Sequence, residues 1–329
     1  MKQRQVIPTF LLAVCIVISS FLTPTIETYG KEKNEQEPIL AVAFHPTQSI
    51  VVGGGFYDNL AIWSTTDWKL IRKIGGDLLI TESLSFSKDG RYLASADHDR
   101  KVRVWNTKTW EKAAELEGHA SLVFSVAFSS NGKYLASGAS DNTIRIWSTE
   151  QWRSVKTLTG HSNWISMLLF EPSGRYLLSA SADGSVKIWS VTDWTCLKTI
   201  KTGETQVRSI AFSPDGKYLV AGDTRKTISI FSTDDWQMKK SISEHIEQVL
   251  STTFSPDGRL LVSAGDKDGS IRIFSTENWQ SLKLLEHHKD IVRCVAFDNK
   301  GEYLVASSWD GSVSVWRTSD WSKVTLLYF

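Results

Sequence analysis

The chain has 329 residues, with 37 Lys and Arg against 36 Asp and Glu, a net charge of +1. That balance argues against a nucleic-acid footprint, which needs an excess of basic residues on one face. Apolar residues make up 41%, enough for a large core, and all-β rings of this length often form one unit rather than two.

The first 30 residues differ from everything after them. Lys2 and Arg4 give a basic start, Val6 to Leu22 is nearly all apolar, and no acidic residue precedes Glu27. This is the pattern of a secretory signal peptide, and the apolar run also reaches the short limit of a membrane span. Three fates stay open: a cleaved signal around Thr28-Tyr29-Gly30, an uncleaved anchor, or lipidation at Cys15. Each exports the remainder, so a periplasmic or secreted location is expected, with membrane contact only through an uncleaved N-terminal segment. Residues 31–37 (KEKNEQE) are polar, of mixed charge and without apolar anchors, and read as a tether. Of the three cysteines, Cys15 is in the leader, while Cys196 and Cys294 fall at different positions of different repeats, so no disulfide is expected.

From residue 38 onward the sequence repeats. Seven segments end in an aromatic: Trp63, Trp105, Trp147, Trp189, Phe231, Phe274 and Trp316, at steps of 42, 42, 42, 42, 43 and 42 residues. A second Trp follows five residues after each, at 68, 110, 152, 194, 236, 279 and 321. Within the third unit, VFSVAF, Tyr134 to Gly138, TIRIW and Trp152 to Leu158 predict four short strands separated by turns such as Ser129-Ser130-Asn131-Gly132. A four-stranded meander this small cannot bury its faces alone; stacking copies about an axis does so. The predicted fold class is therefore all-β: a seven-bladed β-propeller of four-stranded antiparallel blades behind a hydrophobic leader. The blades are placed at about 38–75, 76–117, 118–159, 160–201, 202–243, 244–286 and 287–329. Ile39 to Phe44 matches a first strand and Trp321 to Leu327 a fourth, so the ring is expected to close without strand exchange.

Gly118-His119 and Gly160-His161 before a first strand, turns such as Pro214-Asp215-Gly216, an Asp before the third strand and Trp at its end together resemble the WD40 repeat family, over all of residues 38–329. With the leader, the resemblance is to an exported WD40 protein of bacterial type. It implies a hydrogen-bonded tetrad within a blade, formed here by His119, Ser137, Asp141 and Trp147 in blade 3 and by His161, Ser179, Asp183 and Trp189 in blade 4. Blade 7 has His288, Asp310 and Trp316 but Ala306 at the Ser position, and blade 6 has His245, Ser263 and Asp268 with Phe274. Blades 1, 2 and 5 lack the His, and are expected to lean more on apolar packing.

No catalytic constellation stands out. Asp97-His98-Asp99 reads as a turn between strands, and Asp266-Lys267-Asp268-Gly269 lacks the remaining donors of a calcium loop. No phosphate loop, dinucleotide fingerprint, nucleophile elbow or zinc spacing is present, so neither metal nor cofactor is expected. The expected function is a non-catalytic exported scaffold that binds a protein or peptide. A lactonase- or quinoprotein-like propeller enzyme and a glycan-binding propeller are the alternatives, the first requiring ionisable groups that converge near the axis, which the sequence does not reveal.

The resemblance implies docking on the face that carries the turns between second and third strands and the starts of the first strands. By register each blade offers three positions there; in blade 2 they are Ile80, Glu82 and His98. The residues expected to contact a partner are Phe56, Phe124, Trp164, Arg208, Leu250, Arg293 and Trp309. Of the fourteen Trp, only Trp164 and Trp309 fall outside the two repeated positions, and aromatic and Arg side chains dominate interface energies. The seven second Trp are read as each covering the outer edge of its own blade, with a ligand girdle as the alternative.

Overall fold

The structure, a computed structural model, describes residues 36–329 apart from 57–58, 77–79, 204 and 266–268. The leader, Cys15, nearly all of the tether and the Asp266-Lys267-Asp268 turn lie outside the described residues. Among those described, no helix is long and apolar enough to cross a membrane.

Seven sheets of four strands are present, each made from consecutive strands of one stretch of chain. In blade 3 these are Val123–Phe128, Tyr134–Ala139, Ile144–Ser148 and Arg153–Leu158, all antiparallel. The turn between the first two is built by Ser129, whose hydroxyl donates to Asn131 and accepts the Tyr134 N–H, while Gly132 takes a left-handed φ of 70°. Blade 1 has His45 at that turn instead. Its Nδ1 accepts the Thr47 and Gln48 N–H groups and its Nε2–H donates to the Gly90 carbonyl of blade 2, 2.9 Å away.

The hydrophobic core lies between blades rather than inside them. Each of the seven interfaces holds one cluster of buried side chains. Strand alternation sends successive residues to opposite faces, so both faces of each sheet are apolar and each meets a neighbour. Between blades 3 and 4, for example, Ile144, Ile146 and Leu158 pack on Ile165, Leu168 and Trp189. Small residues allow the approach: a Cβ on Gly138 would stand 2.5 Å from Ile165.

The first strands, Ile39–Phe44, Thr81–Phe86, Val123–Phe128, Ile165–Phe170, Val207–Phe212, Val249–Phe254 and Val292–Phe297, neighbour one another in a closed circuit and so surround the axis. Being sheet edges, they have N–H groups with no fifth strand to pair with. Side chains of the preceding blade supply acceptors: Ser125 for Leu168 N–H at 2.9 Å and Ser251 for Val295 N–H at 3.2 Å. The ring closes by packing, without strand exchange among the described residues. Ile39, Val51 and Trp63 of blade 1 meet Val305, Val315 and Leu327 of blade 7.

Candidate partner-binding face

In every first strand the pairing with the second skips one residue. The skipped residues are Leu40, Glu82, Phe124, Ser166, Arg208, Leu250 and Arg293. A β-bulge of this kind re-aims its side chain out of the regular pleat. Seven bulges at one register, on the strands nearest the axis, form a ring at one mouth of the propeller. The turn residue after the second strand is tied to the same place by a backbone hydrogen bond. Phe56 N–H donates to Pro38, His98 to Ile80, Ala182 to Trp164 and Trp309 to Ile291, at 2.9–3.0 Å. In the six blades where both are described, the first and last of the three positions read from register are thus joined by a hydrogen bond.

Around this mouth the side chains form two connected groups. His98, Phe124, Trp164 and Arg208 run across blades 2 to 5. The His98 and Phe124 rings meet edge-on at 5.7 Å, Phe124 and Trp164 are tilted at 4.9 Å, and the Arg208 guanidinium lies 4.8 Å over the Trp164 ring. Phe56 and Trp309 form the second group across the closure, edge-on at 6.2 Å. All of these are half-buried.

An ion pair links blades that are not neighbours. Arg293 of blade 7 donates to Glu82 of blade 2 at 2.8 Å, and the other oxygen of Glu82 lies 3.1 Å from His98 Nε2. Blade 1, between them, has the apolar Leu40 at the bulge. Burial works against ionisation of Glu82, but Arg293, His98 and the more distant Arg208 outweigh it and hold its carboxyl down to about 2. Glu82 is an anion at neutral pH. Arg293 Nε, Trp309 Nε1 and Gln248 Oε1 are buried without a hydrogen-bond partner among the described residues.

Sequence reading missed the Glu82–His98–Arg293 cluster, and ionisable groups do converge near the axis. The available signal was that Glu82, Arg208 and Arg293 share one register, and same-register residues of innermost strands face each other. Leu250, at the same register, is only 7% exposed. Lys267 lies outside the described residues.

The tetrads tie the blades below this face. His119 Nδ1–H donates to Asp141 at 3.0 Å, its Nε2 meets the Ser137 hydroxyl at 2.8 Å, and Trp147 Nε1–H donates to the same hydroxyl at 2.8 Å. His161, Asp183, Ser179 and Trp189 repeat this at 2.7–2.9 Å. Burial opposes ionisation of Asp141, yet hydrogen bonds from His119, Thr143 and the Ala120 N–H hold it well below the usual carboxylate range. In blade 7 the missing hydroxyl is replaced. Ser314, cross-strand partner of Ala306, meets both His288 Nε2 and Trp316 Nε1 at 2.8 Å.

Blades 2 and 5, expected to lean more on apolar packing, also carry polar networks where the tetrad histidine is missing. In blade 2 the Arg103 guanidinium donates to Asp97 at 2.8 Å and Asp99 at 2.5 Å, and Thr81 and Ser95 also bond to Asp97. Trp105 Nε1 is buried without a hydrogen-bond partner among the described residues. In blade 5 Thr205 donates to Asp223 at 2.9 Å, and Asp223 accepts the Arg225 and Thr227 N–H groups.

The seven second Trp are corrected as well. Each has a left-handed φ, between 51° and 63°, just before its fourth strand. Five of them meet a Tyr of the preceding blade edge-on, as Trp152 meets Tyr92 at 5.1 Å. They cover the seam with the neighbour rather than the edge of their own blade. Among the described residues no three His, Cys, Asp or Glu side chains are grouped to hold a metal. Cys196 is exposed and Cys294 half-buried, both as free thiols.

The family model of the IFT122 first beta-propeller matches residues 83–317. No curated protein matches the sequence.

Proposed function

From the premise that this chain belongs to the IFT122 first beta-propeller family and is a WD40-type ring, we propose that it is a non-catalytic, exported scaffold that binds a protein or peptide across its first-strand mouth. Propellers of this kind serve in protein interaction, and the observation that carries the reading is the stack of Phe124, Trp164 and Arg208 on three successive blades. Rigid, half-buried aromatics with an arginine are the composition of an interface anchor. The Phe56–Trp309 pair offers a second anchor across the closure, so an extended segment is the partner that could use both.

The test is capture of partners by the wild type, followed by titration of the captured protein against Trp164→Ala and Trp309→Ala. An anchor loses about 2 kcal/mol or more of binding on truncation while the ring stays folded. Full affinity in both variants would put the partner elsewhere. Export is supported by Lys2, Arg4 and the Val6–Leu22 run; fractionation with the mass of the mature N-terminus separates cleaved signal, lipid anchor and retained span.

A second reading, a propeller enzyme, draws on Glu82, His98 and Arg293 meeting near the axis. Against it, Glu82 is engaged on both oxygens, which suits a cross-link between blades better than a free acid or base. Turnover of any small ester or sugar by the purified chain, abolished by Glu82→Gln, would favour the enzyme.

A further inference from the structure

The fourth strands are the outermost and have no further strand beside them. They are Leu70–Gly75, Lys112–Leu116, Arg153–Leu158, Cys196–Lys201, Met238–Ile242, Ser281–Glu286 and Lys323–Leu327. Together they carry eleven Lys and Arg against two Glu, a net of +9 in a chain that totals +1. The near-neutral total therefore conceals a basic perimeter. Blade 1 carries Arg72 and Lys73 with no acidic residue on its strand, and the longest unbroken basic arc is blades 3 to 5, where Arg153, Lys156, Lys198, Lys201, Lys239 and Lys240 occur with no acidic residue on those strands. Of the six, only Lys239 has an ion-pair partner among the described residues, Asp235 at 2.7 Å.

Like the outer strands of blades 1 and 6, with Ile71 and Leu282, the same arc leaves apolar side chains in water. Val155 and Leu197 are the residues skipped where the fourth strand pairs with the third, and the bulge turns them outward to 44% and 55% exposure. Met238, on the next blade, is 58% exposed. Lysine on an edge strand also prevents edge-to-edge pairing. That role explains cations but neither the exclusion of acidic residues from three successive strands nor the aliphatic side chains set among them.

We propose that the outer edge of blades 3 to 5 docks on an anionic lipid membrane. The cations meet lipid phosphates, while Val155, Leu197 and Met238 enter the interfacial layer. Aliphatic groups flanked by Lys and Arg are the chemistry that recognises such a surface, since apolar burial and attraction to anionic headgroups add. This surface is separate from the first-strand mouth and does not depend on the partner reading, and it adds a membrane contact beyond the N-terminal segment.

Residues 36–329 contain all seven sheets and the closing contact between blades 7 and 1, so they can be tested without the leader. The measurement is co-sedimentation with vesicles of phosphatidylglycerol and phosphatidylcholine, beside vesicles of phosphatidylcholine alone. Binding is expected only to the anionic vesicles. Combined Lys156→Glu, Lys198→Glu and Lys240→Glu should lower it by about tenfold or more, given the attraction each cation contributes near such a surface. Combined Val155→Ser, Leu197→Ser and Met238→Ser should weaken it at unchanged charge. A matched reversal at the exposed turn residues Lys88, Lys133 and Lys300 should leave most of the binding, with all variants melting as the wild type does. Equal binding to neutral vesicles, no binding to anionic ones, or an equal loss from the matched reversal would overturn the proposal.

Discussion

The Trp68 indole of blade 1 meets the Tyr303 ring of blade 7 edge-on, with centroids 5.1 Å apart and planes at 74°. The pair closes the ring at its outer rim, and Trp152–Tyr92, Trp194–Tyr134, Trp236–Tyr176 and Trp279–Tyr218 repeat it at other seams. A left-handed backbone costs a bulky residue roughly 1–2 kcal/mol, so each Trp holds a strained turn in exchange for the contact with its neighbour.

This gives a prediction with an internal control. Trp194→Ala and Tyr134→Ala should each destabilise the protein, and a double-mutant cycle in urea should give a coupling of about 0.5–1.5 kcal/mol. Trp194→Gly should cost less than Trp194→Ala by up to about 1 kcal/mol, because glycine adopts the left-handed conformation freely. A coupling near zero would mean the two rings are merely adjacent.

In blade 7, Ser314→Ala removes the hydroxyl that both His288 and Trp316 use. It should cost about 1–3 kcal/mol, the penalty for leaving buried polar groups unpaired. Adding Ala306→Ser restores a hydroxyl at the position that Ser137 and Ser179 hold in blades 3 and 4, and should recover at least part of the loss. Chemical denaturation of the single and double variants measures it.

The Glu82–Arg293 pair predicts acid sensitivity. The folded pKa of Glu82, about 2, lies below its ordinary value of 4.5. Its stabilising share is complete above that ordinary value and is lost as pH falls from there toward about 2. Asp141, Asp183 and Asp310 are depressed in the same sense, so Glu82→Gln should flatten only part of the acid limb. At neutral pH the variant should be less stable, by at most about 3–5 kcal/mol, since it leaves the half-buried Arg293 without its counter-charge.

His45 and His161 act at milder pH. Burial pushes both below the ordinary histidine value of 6.5, so the unfolded chain takes up protons first. Stability should be fully present above 6.5 and decline as pH drops through the folded values. His45 must stay neutral because its Nδ1 accepts two N–H groups. Melting temperatures of the wild type and His45→Asn between neutral and mildly acidic pH check this: the variant should be less stable at neutral pH and should lose less on acidification.

Much of the candidate face was legible in the sequence, for a definite reason. Constant repeat spacing and strand alternation together determine which residues stand at equivalent places, so Phe124, Trp164, Arg208 and Arg293 could be assigned to one mouth from register alone. Burial could not be read in the same way. Leu250 shares the register of Arg208 and Arg293, yet it is buried, while those two guanidinium groups extend to the Trp164 ring and the Glu82 carboxylate.

The sequence by itself determined the seven-fold period and the four strands of each blade, because each is a property of short stretches of chain repeated in register, whereas the tetrads of blades 3 and 4 were implied by the resemblance to WD40 repeats. Tertiary structure alone decided that Ser314 stands in for the hydroxyl missing at Ala306, that five of the second Trp meet a Tyr of the preceding blade, and that Glu82 finds Arg293 at a separation of 211 residues. Those partners are chosen by the direction in which a bulge or a left-handed turn aims a side chain, and by which blade the closed ring brings within its reach.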